Sequence, residues 1–249
     1  MKIIISPAKK MRQDRDSFSS EQLPQFLEQA EGLQDYIQSL DYESCKALWK
    51  CNDEIAALNY ERFAQMDLRA AQTPALYAYD GIQYQYMAPN VFTDQELAYI
   101  KEHLRILSGF YGILRPFDAV VPYRLEMQAK PEGFSSKTLY AYWGDQLAQV
   151  LSEEENCIVN LASKEYSKAV QKYLPNTVRW VDCLFVEDVN GSYKEKGTQA
   201  KMVRGAMVRY MAENNVQSPE GMKDFRRFDF RYHEELSSEN KLVFLKGDC

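Results

Sequence analysis

The chain has 249 residues, 45% of them apolar, and a net charge of −6 at pH 7. That length allows one large domain or two small ones, and the apolar share is ample for a core. No run is long and apolar enough for a transmembrane helix, and the opening MKIIISPAKK has too short an apolar stretch for a signal peptide.

In chain order, Lys2 to Ile5 reads as a buried strand that turns at Ser6-Pro7. Residues 22–40 carry Leu23, Phe26, Leu27, Ala30, Ile37 and Leu40 on one side, which predicts an amphipathic helix. Two short helices follow, near 43–49 and 53–65, joined by the tight link Lys50-Cys51-Asn52. The segment PALYAYDGIQYQYM (74–87) predicts a strand pair around Asp80-Gly81, with tyrosines alternating in each arm. Thr93 and Glu96 form a capping-box pattern, and Leu97, Ile100, Leu104 and Leu107 follow at helical spacing up to Gly109. Gly112, Pro116 and Pro122 then break regular structure, so Arg105, Arg115 and Arg124 are expected on or beside loops. Fixed arginines between apolar anchors suit phosphate or carboxylate binding; the alternative is structural ion pairing with Asp118 and Glu126. Residues 139–151 predict a helix, and Cys157 to Leu161 a short strand running into a helix that opens at Ser163-Lys164. A strand feeding a helix N-terminus is a natural anion site, with Ser163 as cap and Lys164 as phosphate contact. Residues 178–187 and 192–196 flank Asn190-Gly191, a strong hairpin signal. Residues 199–213 predict a helix with Lys201 and Arg204 one turn apart on its outer side, and 242–245 a last strand. With no repeat and no dividing linker, the expectation is a mixed α/β single domain over 1–249, built of interleaved short strands and helices.

Chemistry-bearing motifs are sparse. Cys45, Cys51, Cys157, Cys183 and Cys249 are odd in number and scattered, without C-x-x-C, which points to a reduced cytoplasmic setting. Two histidines, His103 and His233, make no metal motif. Walker A, G-x-G-x-x-G and G-x-S-x-G patterns do not occur, so no cofactor is expected. Charge is unevenly spread. Residues 14–99 hold fifteen acids and five bases, net −10, whereas 100–130, 163–179 and 194–210 are net +2, +3 and +4. Brought together in space, the three basic segments would line a positive cleft; on separate faces they would be ordinary solvated charge.

Several segments together carry a resemblance: SPAK (6–9), HLRILSGFYGILRPFD (103–118), PYRLEM (122–127), LYAYWG (139–144), VNLASKEY (159–166), AKMVRG (200–205) and ELSSENKLVFLK (235–246). In this combination and order the chain resembles the YaaA family of bacterial peroxide stress resistance proteins. The resemblance implies a family-specific α/β fold with a positively charged cleft, binding of double-stranded or structured DNA, and a role in limiting oxidative damage. It also implies a helix-hairpin-helix element, which maps to 41–66. Here the sequence departs from the usual G-x-G hairpin, since Lys50, Cys51 and Asn52 stand at the turn without a glycine.

The leading expectation is a sequence-tolerant DNA-binding protein that contacts phosphates through Lys9, Arg105, Arg115, Arg124, Ser163, Lys164, Lys201 and Arg204, with Ser6 adding a neutral hydrogen bond. No catalytic residue, metal ligand, membrane contact or dedicated protein partner is expected. The alternative is a magnesium-dependent enzyme acting on nucleic acid or a phosphorylated small molecule at the same cleft. Its carboxylates would come from Asp118, Glu126, Asp145, Glu165 and Asp182. A third reading, direct iron binding, has only the two histidines behind it.

Overall fold

Strand formation starts with the sequence Lys-Ile-Ile-Ile. Consecutive β-branched residues favour an extended backbone, and a run without polar alternation suits a strand covered on both faces. In the computed structural model, which describes residues 1–13 and 18–247, Ile3, Ile4 and Ile5 are fully buried. Five parallel strands form the middle of the main sheet: β1 (Lys2–Ile5), β2 (Leu104–Ser108), β3 (Cys157–Leu161), β4 (Arg179–Val189) and β5 (Lys241–Lys246). Their order across the sheet is β2-β1-β3-β4-β5. The chain leaves β1 to one side for β2, then crosses back to place β3 on the other. Strand order therefore reverses at β1, as in one of the two common arrangements of open α/β sheets.

Antiparallel pieces finish the edges. Gly112–Leu114 pairs with β2, and Phe230–Tyr232 with β5. Ser192–Lys194 folds back on the end of β4 through Asn190 and Gly191, both at positive φ, as the Asn-Gly signal predicts. The helix Asp94–His103 packs on β1 and β2, and the helix Gly197–Glu213 packs against it and β4. Gln146–Glu154 lies beside Lys164–Gln171. One hydrophobic core runs through the described residues. Cys45, Cys51, Cys157 and Cys183 are free thiols, and Cys249 lies outside the described residues. Among the described residues, no helix is long and apolar enough to cross a membrane.

Four sequence expectations are corrected. The helix that starts at the Thr93–Glu96 capping box ends at His103, and residues 104–108 are β2 rather than its continuation. Every residue of β2 is buried, and a short apolar run of that kind satisfies helical and strand spacing alike. Pairing with β1 decides the outcome. The expected strand pair over 74–87 is instead a helical turn (Ala75–Ala78), a two-residue strand (Tyr79–Asp80) and the helix Ile82–Met87. Tyr77, Tyr79 and Tyr84 are buried core residues, so packing has overridden the strand preference of the alternating tyrosines. The helix expected over 139–151 is broken at Gly144, which has positive φ, into Leu139–Trp143 and Gln146–Glu154. The amphipathic helix expected over 22–40 is confined to Leu27–Gln38.

The helices Ile82–Met87 and Gly197–Glu213 touch closely at Gly205, where a Cβ would lie 2.1 Å from the Gln83 carbonyl oxygen. Helix propensity alone favours alanine there by about 1 kcal/mol. A clash with backbone cannot be relieved by a rotamer change, and overpacking of this kind costs about 1–3 kcal/mol. Gly205→Ala is therefore expected to lower the melting temperature, by roughly 2–4 °C for each kcal/mol lost. An unchanged or raised melting temperature in calorimetry would contradict that packing.

Candidate functional site

Ile5 ends β1 opposite Leu161, the last residue of β3. The residues just beyond, Ser6 and Ser163, therefore meet. The Ser163 amide donates to Ser6 Oγ at 2.8 Å, and Ser6 Oγ donates to Ser163 Oγ at 3.2 Å. Asn160 shapes the turn after β3 by accepting from the Ala162 amide at 3.0 Å. Ser163 occupies the N-cap position of Lys164–Gln171, as its place in the sequence suggests, but makes no side-chain cap. Its hydroxyl is engaged by Ser6 and the Tyr166 amide donates to the Ser163 carbonyl at 3.0 Å, so the amides of Lys164 and Glu165 are left to an incoming acceptor.

Above this junction lies a cavity of about 360 Å³. Its wall comes from segments far apart in sequence: Ser6 to Lys10 after β1, residues 80–84, residues 123–126, Ser163, Glu165 and Tyr166, and Lys201 and Arg204 from the long helix. Tyr84, Tyr123, Tyr166, Ile82 and Leu125 supply apolar and aromatic lining. Tyr84 donates to the Ser6 carbonyl at 3.0 Å, and the Tyr123 hydroxyl lies 2.6 Å from Ser108 Oγ and 2.9 Å from the Tyr79 hydroxyl. Burial pushes all three phenols up, Tyr123 to about 12, so they remain neutral.

The lining also holds five cations, Lys9, Lys10, Arg124, Lys201 and Arg204, and three carboxylates, Asp80, Glu126 and Glu165. Glu126 bridges Lys9 at 2.8 Å and Arg124 at 3.1 Å. Lys10 pairs with Asp80 at 2.9 Å, and Arg204 with Glu195 at 3.0 Å. Lys201 is exposed and makes no ion pair among the described residues. Glu165 Oε1 accepts from the Gln128 amide at 3.3 Å. Burial, with the neighbouring Glu126 charge adding to it, raises the Glu165 pKa against the opposing pull of that amide, Lys9 and Lys168.

The expected phosphate-contacting residues divide. Lys9, Arg124, Ser163, Lys201 and Arg204 line this cavity, and exposed Lys164 opens the helix beside it. Arg204 is 9% exposed, not on an outer face as its spacing from Lys201 suggested. Arg105 and Arg115 lie elsewhere. Arg105 sits within β2, buried rather than on a loop, and donates to the carbonyls of Lys101, Glu102 and Leu104 and to Glu154 at 2.9 Å. It thereby closes the carboxyl end of the preceding helix, where a cation is favourable. Arg115 pairs with Asp118 at 3.2 Å, and its amide donates to the same buried carboxylate at 2.8 Å. Burial raises the Asp118 pKa despite these contacts. The three basic segments thus meet only through Arg124, Ser163-Lys164, Lys201 and Arg204, and what they build holds both signs of charge.

The helix pair Tyr42–Trp49 and Asp53–Ala64 forms as expected. Lys50 takes the left-handed conformation at its turn (φ 47), and the Asn52 side chain caps the second helix by accepting from the Ile55 amide at 3.0 Å. Lys50 also lines a smaller cavity of about 120 Å³ together with Lys9, Arg124 and Glu126, so the turn adjoins the main site.

Of the carboxylates named from the sequence, only Glu126 and Glu165 reach the cavity. Asp182 accepts from Asn160 and the Trp180 indole, and Asp145 accepts from Gln149. His103 is a core residue whose Nδ1 lies 2.8 Å from the Met1 carbonyl oxygen, and burial lowers its pKa. Among the described residues, no group of three or more His, Cys, Asp or Glu side chains is placed to hold a metal ion. Ser6 opens the SPAK motif and Lys10 follows it, whereas the tyrosines gave no signal beyond ordinary core spacing.

The fold and site define an α/β protein with a mixed-charge cavity at the carboxyl ends of parallel strands. A family model described as peroxide stress protein YaaA matches residues 1–236. A UPF0246 protein of Desulfitobacterium hafniense is 55% identical over 247 residues, covering 99% of this chain and 98% of that protein. UPF0246 proteins of Lachnoclostridium phytofermentans and Pediococcus pentosaceus are 52% and 50% identical over 248 residues, covering 100% of this chain and 97% and 99% of those proteins. The chain belongs to the YaaA peroxide stress protein family.

Glu165 provides a test of the site's electrostatics. Its folded-state pKa is raised, so the folded chain holds this proton more tightly than the unfolded chain does. The associated stabilisation is full below the ordinary glutamate pKa of about 4.3 and is lost as pH rises through the folded value. Glu165→Gln should therefore be more stable than the parent in urea at about pH 8, with the difference closing toward about pH 4. A pH-independent difference would show that burial does not strain this carboxylate.

Proposed function

We propose that the protein acts in the peroxide stress response as a sequence-tolerant DNA-binding protein of the cytoplasm, limiting oxidative DNA damage by holding double-stranded or structured DNA across the mouth of this cavity. The observation that carries the reading is convergence. Lys9, Lys10, Lys164 and Lys201 come from three separate parts of the chain, and all four are exposed in or beside one site. Lysines of this kind position a phosphate backbone without reading bases. The adjoining Lys50 turn extends the same surface. Its glycine-free hairpin keeps the left-handed residue at which such turns use glycine, with lysine in that place. Arg105 and Arg115 do not line this cavity: Arg105 is buried against Glu154, and Arg115 pairs with Asp118.

Each phosphate neutralised on a duplex contributes about 0.9 to the slope of log affinity against log salt. Lys164→Ala and Lys201→Ala should each weaken binding of a short duplex and reduce that slope by about 0.9, alike for unrelated sequences. Lys241→Ala, at the amino end of β5, should change neither. Slopes equal to the parent's in both cavity variants would overturn the reading.

A further inference from the structure

The cavity is better suited to one nucleotide than to a duplex. Its volume of about 360 Å³ falls within the range of small-molecule sites, about 300–1,000 Å³. A double helix can lie across its mouth and cannot enter it. It also occupies a favoured place, outside the carboxyl ends of β1 and β3, where strand order reverses.

Its lining combines two kinds of chemistry. The hydroxyls of Tyr84 and Tyr123 are engaged within the protein, so these rings offer the cavity apolar surface rather than a polar tip. Such surface suits a planar aromatic ring. Among the charged lining residues, Arg124 and Arg204 each hold a carboxylate through Nη2 alone. The Nη1 group of each makes no hydrogen bond among the described residues, so both guanidinium groups retain donors for an anion. Arg204 does so while 91% buried, and it lines the cavity. The uncapped opening of Lys164–Gln171 adds backbone amides beside Ser6 and Ser163.

We infer that the cavity binds a nucleoside monophosphate unit, its phosphate held by Arg124, Arg204 and the opening of helix Lys164–Gln171 and its base laid against the tyrosine wall. Two sources supply the same chemistry: a free mononucleotide, or a nucleotide extruded from DNA lying across the mouth. The second source rests on the DNA-binding reading above. Extrusion is cheapest at a mismatched or damaged pair, so that source carries a preference for such sites.

The test uses the full chain with 5′-deoxymononucleotides, deoxyribose 5-phosphate and inorganic phosphate in calorimetry. In parallel, fluorescence anisotropy follows a fully paired duplex and the same duplex with one mismatch. Mononucleotides should bind at least about tenfold tighter than deoxyribose 5-phosphate or phosphate, the equivalent of one good additional contact. Ser163→Asp places a carboxylate at the phosphate position while remaining a favourable N-cap residue, so the fold is retained. It should lose mononucleotide binding by at least about tenfold, as should Arg204→Met. If DNA is the source, the parent prefers the mismatched duplex and Ser163→Asp abolishes that ratio. Because the ratio is taken within one variant, a general loss of affinity does not imitate it. Mononucleotide binding without a mismatch preference assigns the free nucleotide as the source. Paired-duplex binding with neither mononucleotide binding nor a mismatch preference overturns the inference and leaves the DNA reading standing. Mononucleotide binding with no duplex binding overturns the DNA reading and upholds the inference.

Discussion

The structure depends on the backbone pairing of β1 on both of its sides. Lys2–Ile5 takes hydrogen bonds from β2 and from β3, and its three isoleucines are sealed from solvent. A four-residue strand has little stability by itself; here it is the seam between two halves of the sheet. Because β2 and β3 lie on opposite sides of it, the segments that follow β1 and β3 leave the sheet side by side. Ser6 and Ser163 meet for that reason, and the cavity exists because the chain diverges above them.

The cations of this acidic protein serve two ends. Arg105 is fastened to Glu154 and to nearby backbone carbonyls, and Arg115 meets Asp118 through both its side chain and its amide; they hold a helix end and a turn in place. Removing either would leave a carboxylate without its partner in a buried or half-buried place, which is destabilising whatever the function. The cations at the cavity are tied less completely than Arg105. Lys9 and Arg124 share Glu126, Arg204 engages Glu195 through one nitrogen, and Lys201 is unpaired among the described residues. Such partial pairing keeps positive charge in a fixed arrangement while leaving donors for an anionic ligand.

Much of the architecture was legible in the sequence. The isoleucine run marked β1, the capping box marked the start of Asp94–His103, and Asn190-Gly191 marked the hairpin at the end of β4. Those signals are local, set by steric preference or by hydrogen bonds a few residues apart. The failures were at places decided by distant partners. Residues 104–108 become a strand because β1 lies beside them, and the tyrosines of 74–87 turn into helix and core because the Gly205 face presses on Gln83. At the site, Ser163 and Lys164 were readable from the strand-to-helix junction, and Lys9 from the SPAK segment. Charge counting did not distinguish Arg105 from Arg124. Both stand in the same basic stretch, and only the fold decides which one is tied into the frame.

Hydrogen exchange on the full chain, with and without a short DNA duplex, tests the central claim most directly, because it reports protection along the chain without prior choice of a residue. The account predicts protection at residues 6–10, 123–128, 163–168 and 197–204, with the Lys50 turn included and the Arg105 and Arg115 segments unchanged. Protection confined to residues 104–118 or to β5 and its neighbours, with the cavity segments exchanging as in the free protein, would contradict it.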